Sequence, residues 1–139
     1  PGADSGTFDY FTEAVNGRSK ASRGDYTAAE DDNILVQGVA RDINGIGYFG
    51  YAYYIENKDK LKGLPIVNPK TNQPVSPSAE TVMDGTYQPL ARPIFIYVNA
   101  KSVQRPEVKE FIEYYMKNSE ALIREVKYVP LPAKAYAYN

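Results

Sequence analysis

The feature with the clearest chemical potential is Asp4-Ser5-Gly6-Thr7, which stands at the start of a segment with helical periodicity. The first backbone N–H groups of a helix have no partner within the helix and carry a partial positive charge, so they can bind an anion. Ser5 and Thr7 would add hydroxyl donors, and Gly6 would let an anion approach the backbone. The alternative is that Ser5 or Thr7 only caps its own helix, which is a common role for these residue types.

A second candidate is Arg23, which lies in a polar loop predicted over residues 18–30. A guanidinium can donate two parallel hydrogen bonds to a tetrahedral oxyanion, so this arginine could contribute to an anion site. A solvated loop arginine and an ion pair with Asp25 are the alternatives, and both stay open at this point.

Two other clusters are better explained by structural roles. The aromatic run 48–54 could stack on sugars or bases, but it has no basic residues between its rings. Packing of its tyrosines in a core, with each hydroxyl near a polar neighbour, is the favoured interpretation. The acidic cluster 30–32 lacks the spaced oxygen ligands of a calcium loop, so we interpret it as an acidic helix cap.

The composition excludes several kinds of chemistry. The 139 residues contain no His and no Cys, which removes Ser-His-Asp and Cys-His nucleophiles, thiolate and imidazole metal sites, and disulfides. Sixteen basic and seventeen acidic residues give a net charge of −1, which provides no electrostatic basis for binding nucleic acid. We therefore expect no catalytic residues, no metal and no cofactor, and no nucleic-acid partner.

Hydrophobic periodicity and chain breakers predict the elements that position these residues. Helices are predicted over 5–15, from Asp31 or Asp32 to near 42–45, over 51–61, from Ser76-Pro77 to 83, and from Pro106 as one long helix or two short ones. Strands are predicted over 46–50, 64–67 and 92–98. The last is a continuous apolar run, typical of a strand buried on both faces. The proline-rich tail from Tyr128 is not expected to be helical. This alternation of elements predicts an α/β layer structure.

Taken in order, these segments resemble the phosphate-binding protein of the bacterial Pst-type ABC importer, a member of the type II periplasmic-binding-protein class. The resemblance extends over nearly the whole chain and rests on the order and spacing of segments 4–11, 32–38, 46–53, 73–77, 87–97, 107–111 and 128–132. It implies a three-layer α/β lobe of the type II periplasmic-binding-protein fold, incomplete and corresponding to the C-terminal half.

The resemblance also implies a domain organisation. Residues 1–90 would form most of the second, phosphate-binding lobe, and residues 91–139 would contain a strand and a helix that return to the first lobe. The apolar faces carrying Ile94, Ile96, Phe111 and Tyr115 would then lack first-lobe partners. We expect the chain either to associate with the N-terminal half of the same protein or to have rearranged or oligomerised.

In this family a Ser-Gly-Thr turn at a helix N-terminus donates hydrogen bonds to phosphate, and Ser5, Gly6 and Thr7 match it residue for residue. The family often places an arginine four residues before that serine, where this chain has Pro1. Either the anion has one fewer cationic donor, or Arg23 substitutes for it. The family's other phosphate ligands lie on the first lobe.

The resemblance implies a non-catalytic subunit that captures inorganic phosphate in the periplasm or cell envelope and delivers it to an ABC permease in the membrane. The alternative is a surface or interaction protein that reuses the same lobe. A hydrolase of phosphate esters is disfavoured, because no His, Cys or spaced set of metal ligands is present to activate water.

Overall fold

The computed structural model describes residues 1–136, which form a helix-rich chain with a small antiparallel sheet. The helices are α1 (Gly6–Asn16), α2 (Asp32–Arg41), α3 (Tyr51–Glu56), α4 (Ala79–Met83), α5 (Pro106–Glu125) and α6 (Ala133–Tyr136), with a 3-10 turn at Ser102–Gln104. Strand β1 (Ile66–Val67) pairs with β2 (Pro74–Val75), with Ile66 opposite Val75. A small sheet in a helix-rich chain is consistent with part of a lobe.

Helix α1 confirms the prediction over 5–15 to within a residue. Ser5 is its N-cap in extended conformation, and Gly17 ends it with a φ of 74°. The Gly17 N–H donates to the carbonyl of Glu13 at 2.9 Å. Glycine adopts this left-handed backbone conformation without the steric cost that a side chain would impose, so the position favours it.

The buried face of α1 contains Phe8 and Thr12, which are 4% and 2% exposed. The Thr12 hydroxyl donates to the carbonyl of Phe8 at 2.8 Å and accepts from the backbone N–H of Lys20 at 2.7 Å. One buried hydroxyl therefore attaches the start of the following loop to the helix.

Helix α2 begins as predicted, with Asp31 as its N-cap. Its carboxylate accepts from the backbone N–H of Asn33 at 2.9 Å, and Val36 is buried on the helix. Helix α3 ends at Glu56, earlier than the predicted residue 61. The Asn57 amide donates to the carbonyl of Tyr53 at 3.0 Å and so occupies a backbone acceptor at the helix end.

The strand predicted over 46–50 is wrong, because these residues form no ladder with any described segment. One aromatic side chain of this glycine-containing segment packs on α1 instead. The ring of Tyr48 stacks on that of Phe11 with centroids 3.7 Å apart, whereas Ile46 is 80% exposed.

The turn of the hairpin is held by buried Asn68, the residue directly after β1. Its amide donates to the carbonyl of Thr86 at 2.8 Å, and its side-chain oxygen accepts from the N–H of Lys70 at 2.8 Å. The predicted strand over 64–67 is thereby confirmed at its second half, while residues 64 and 65 stay outside the ladder.

Helix α4 has Ser78 as its N-cap, so the predicted cap at Ser76 is wrong. Ser78 and Thr81 form a reciprocal capping box, in which each side chain accepts from the other residue's backbone N–H. Because these two hydrogen bonds cap the helix at Ser78, the helix begins at Ala79 and not at Pro77. Gly85, with a φ of 73°, follows the helix as predicted.

The largest difference from the sequence prediction is at residues 92–98, which form no strand. Their side chains are exposed, with Ile94 at 72%, Phe95 at 66% and Tyr97 at 91%. A strand needs neighbours that pair with its backbone N–H and C=O groups, and no described segment pairs with this one. The prediction of a strand buried on both faces is therefore wrong for this chain.

Helix α5 runs without a break from Pro106 to Glu125, which decides between the two alternatives in favour of one long helix. Phe111 is 63% exposed on it. Residues 128–132 are not helical, as expected, whereas α6 directly after Pro132 contradicts the expectation for the rest of the tail. Proline is compatible with the start of a helix, so Pro132 does not prevent one from following. Residues 137–139 lie outside the described residues.

Within residues 1–136, no helix combines the length and the apolar character needed to cross a bilayer.

Candidate anion-binding site

The turn formed by Ser5, Gly6 and Thr7 opens α1, as the sequence predicts. Ser5 Oγ accepts from the backbone N–H of Thr7 at 3.2 Å, so Ser5 does cap the helix. Capping uses a lone pair of the hydroxyl and leaves its O–H free to donate. Ser5 and Thr7 are half-buried, and Gly6 is exposed.

Two further donors of this turn are unused among the described residues. In the described part of the chain, neither the Gly6 backbone N–H nor the Thr7 hydroxyl has a hydrogen-bond partner. With the Ser5 O–H they form a small set of donors at the positive end of a helix dipole. The arrangement can accept an anion from solvent without breaking a bond to the protein.

The segment before α1 is anchored, so the donors have a defined position. The Gly2 N–H donates to the carbonyl of Ala29 at 3.0 Å, and the Ser5 N–H donates to the carbonyl of Gly2 at 3.1 Å. The backbone at Gly2 approaches Glu30 so closely that a Cβ there would lie 1.7 Å from the Glu30 carboxylate oxygen. The end of the exposed Glu30 side chain would move away from such a Cβ, so it is the backbone bond from Gly2 to Ala29 that ties the turn to the residues that precede α2.

Arg92 is the functional candidate that sequence reasoning missed. Its Nη2 donates to the carbonyl of Gly6 at 3.3 Å, and its guanidinium carbon lies 4.5 Å from the centroid of the Tyr10 ring. The Tyr10 hydroxyl in turn donates to the carbonyl of Pro89 at 2.5 Å. No local sequence signal connects Arg92 to the turn, because only the folded chain brings them together.

Arg23 lies in the exposed loop before α2 and pairs with Asp25. Its Nε donates to the Asp25 carboxylate at 2.7 Å, with a second, parallel bond from Nη2. The guanidinium holds the pKa of Asp25 below its usual value, and the same bond raises the pKa of Arg23. The ion-pair alternative is therefore realised, and the described contacts of Arg23 do not include the turn.

The aromatic run packs as the structural interpretation predicts. Tyr48 stacks on Phe11, and the rings of Tyr51 and Tyr54 are tilted with centroids 6.1 Å apart. Burial raises the pKa of Tyr48, and it also raises the pKa of Tyr51. The second half of the interpretation is not realised among the described residues, since the hydroxyls of these three tyrosines have no hydrogen-bond partner there.

The acidic cluster 30–32 acts as a helix cap, as predicted. Asp31 caps α2, and Asp32 occupies its first turn. Burial raises the pKa of the half-buried Asp32 above its usual value, with a smaller contribution in the same direction from Asp31. The backbone N–H of Gly50 opposes this shift by donating to the Asp32 carboxylate.

Comparison with known proteins gives the class to which this arrangement belongs. The family described as the PBP superfamily domain matches residues 1–119. The chain therefore belongs to the PBP superfamily, which confirms the fold class inferred from the sequence.

Individual proteins that resemble this chain give a more specific comparison than the superfamily does. The chain is 57% identical over 136 residues to Protein SphX of Synechococcus elongatus, covering 98% of this chain and 40% of that protein. It is 37% identical over 139 residues to the phosphate-binding protein PstS of Staphylococcus haemolyticus, covering 98% of this chain and 42% of the relative.

A solved structure agrees with these relatives. The chain superposes on a possible phosphate-binding protein of Planctomyces limnophilus with a TM-score of 0.84 and 47% identity, covering 99% of this chain and 49% of that structure. The chain thus spans about two fifths of the curated relatives and about half of the solved one. The resemblance to phosphate-binding proteins drawn from the sequence is confirmed.

Proposed function

We propose that this chain is the phosphate-binding part of the solute-binding subunit of an ABC importer. The observation that carries the proposal is the set of unused donors at the N-terminus of α1, provided by Ser5, Gly6 and Thr7. The family membership and the names of the relatives support inorganic phosphate as the anion. The subunit holds its ligand and carries out no reaction on it.

The chemistry of the turn suits a tetrahedral oxyanion. The Gly6 N–H and the hydroxyls of Ser5 and Thr7 donate to phosphate oxygens, while the aligned peptide dipoles of α1 stabilise its negative charge. Gly6 lets the oxygens approach the backbone because it has no side chain. Arg23 stays a proposed additional donor; reaching the ligand would require its exposed ion pair with Asp25 to open, and such pairs contribute little to stability.

The relatives are more than twice as long as the part that this chain matches, which supports a second set of proposals. The N-terminal half of the same protein forms the first lobe, and phosphate binds in the cleft between the lobes. Residues 1–90 belong to the second lobe, and residues 91–139 return to the first. The exposed apolar side chains of segment 92–98 and of Phe111 on α5 are then covered by the first lobe.

The site of action follows from the proposed role. The subunit works in the periplasm or cell envelope, where it captures phosphate and passes it to the permease in the membrane.

Replacing one unused donor tests this function. In the full-length protein, Thr7→Val removes a hydroxyl that has no described partner, so phosphate affinity in calorimetry should fall about fivefold or more with little change in stability. Thr12→Val is the matched control: it removes a buried hydroxyl that bonds to Phe8 and Lys20, and should lower stability while leaving the donors intact. Absence of phosphate binding by the unmodified protein would overturn the proposal.

A further inference from the structure

We infer that Arg92 supplies the guanidinium of the phosphate site, a role that rests on the function proposed above. Its Nη2 lies 3.3 Å from the Gly6 carbonyl oxygen and 3.8 Å from the point where a Cβ of Gly6 would stand. Outside the two chain neighbours of Gly6 and the backbone of α1, Arg92 Nη2 is the only described atom within 4 Å of that point. The cation therefore borders the open face of the glycine, where an anion would reach the backbone.

The electrostatics of this placement favour a bound anion. The N-terminus of a helix carries a partial positive charge, so a cation there is unfavourable unless a negative charge accompanies it. Among the described residues, no carboxylate lies within 4.0 Å of Arg92 to provide that charge. By contrast, Arg23 has its carboxylate in Asp25. A phosphate bound at the turn would compensate both the helix end and the guanidinium.

The guanidinium is also held in place before any ligand arrives. Its face lies over the ring of Tyr10, and the Tyr10 hydroxyl is fixed on the carbonyl of Pro89, three residues before Arg92 in the chain. Its bond to Gly6 uses one of the five guanidinium N–H groups, and no other described acceptor takes the rest. Several donors therefore stay available in a fixed orientation for oxyanion oxygens.

The position along the chain fits the same role. Arg92 follows directly on the segment that ends the proposed second lobe and begins the part proposed to return to the first. A guanidinium at this junction stands at the edge of the cleft where the two lobes would meet.

The test compares two arginines in the full-length protein by calorimetric titration with inorganic phosphate. Arg92→Gln should weaken phosphate binding about tenfold or more, and Arg124→Gln, which removes an exposed arginine paired with Glu120 on α5, should leave it within twofold of the unmodified protein. Arg92→Lys should give an intermediate loss, because it keeps the charge but not the paired donors.

Thermal unfolding without phosphate separates a ligand role from a purely structural one. Arg92→Gln should unfold within a few degrees of the unmodified protein, because losing the contacts with Tyr10 and Gly6 is offset by removing a cation from a positive helix end, whereas the rise in unfolding temperature on adding phosphate should shrink. Equal phosphate affinity in Arg92→Gln and the unmodified protein would overturn the inference alone. No phosphate binding by the unmodified protein would overturn the proposed function and the inference together.

Discussion

The guanidinium of Arg92 lies over the ring of Tyr10, with its carbon 4.5 Å from the ring centroid. Tyr10 is on the first turns of α1, and Arg92 follows the loop after α4, so the contact joins two distant parts of the chain. The Tyr10 hydroxyl adds a bond to the carbonyl of Pro89. One aromatic side chain thus attaches the proposed lobe junction to the helix that opens with the proposed anion-binding turn.

Two substitutions at Tyr10 separate these contacts. Tyr10→Phe keeps the ring but loses the bond to Pro89, and should lower the free energy of unfolding of the full-length protein by about 1 kcal/mol with phosphate affinity nearly unchanged. Tyr10→Leu also removes the ring under Arg92, and should weaken phosphate binding several-fold. Chemical denaturation and calorimetry provide the two values. Equal phosphate affinity in the Phe and Leu variants would contradict the proposed orientation of Arg92 by the ring.

A pair of helix-capping serines distinguishes stability from ligand binding. Ser5 caps α1 and Ser78 caps α4, so replacing either by Ala should lower the free energy of unfolding by about 1 kcal/mol. Only Ser5→Ala also removes a proposed phosphate donor, and only this variant should bind phosphate more weakly in calorimetry. If both variants bound phosphate equally well, Ser5 would be a cap and nothing more.

The residues that sequence reasoning located correctly are those whose role depends on close neighbours. Ser5, Gly17 and Asp31 end or begin helices through bonds to residues at most four positions away, so the local pattern was sufficient. The cap at Ser78, which the sequence analysis did not predict, also had a local signal, namely the threonine three residues after it, whose side chain completes the capping box.

The features that local patterns could not predict depend on distant groups. Segment 92–98 has the apolar residues of a buried strand, but pairing requires a neighbouring strand that no described segment supplies. The position of Arg92 beside Gly6 arises from the path of the chain between α4 and the proposed lobe junction. Arg23 was a candidate because it is nearer in sequence, and its pairing with Asp25 could be proposed but not decided before the structure.

Asp32 makes stability depend on pH in a defined direction. Burial raises its pKa in the folded state, so its ionised form disfavours folding; stability is greatest while Asp32 is protonated and falls as the pH rises through the raised pKa. Asp32→Asn should therefore be more stable than the unmodified protein at pH 7, with a difference that shrinks toward pH 3.

Thermal unfolding of the full-length protein between pH 3 and pH 7 measures the stability of Asp32→Asn relative to the unmodified protein. Asp59→Asn, which changes an exposed aspartate, is the matched control. The control should show a smaller difference at pH 7. A lower stability of Asp32→Asn at pH 7 would contradict the predicted sign.

The most direct measurement is phosphate titration of the full-length protein carrying Gly6→Ala. A Cβ at Gly6 meets only Arg92 Nη2 among the described groups outside its own helix backbone and chain neighbours, at an ordinary contact distance of 3.8 Å, and Gly6 is not among the residues with positive φ. The variant should therefore fold with undiminished stability. Its added methyl group stands where phosphate oxygens would approach the backbone, so phosphate affinity should fall at least tenfold relative to the unmodified protein. Unchanged phosphate affinity in a stable Gly6→Ala protein would contradict the placement of the ligand at Ser5, Gly6 and Thr7.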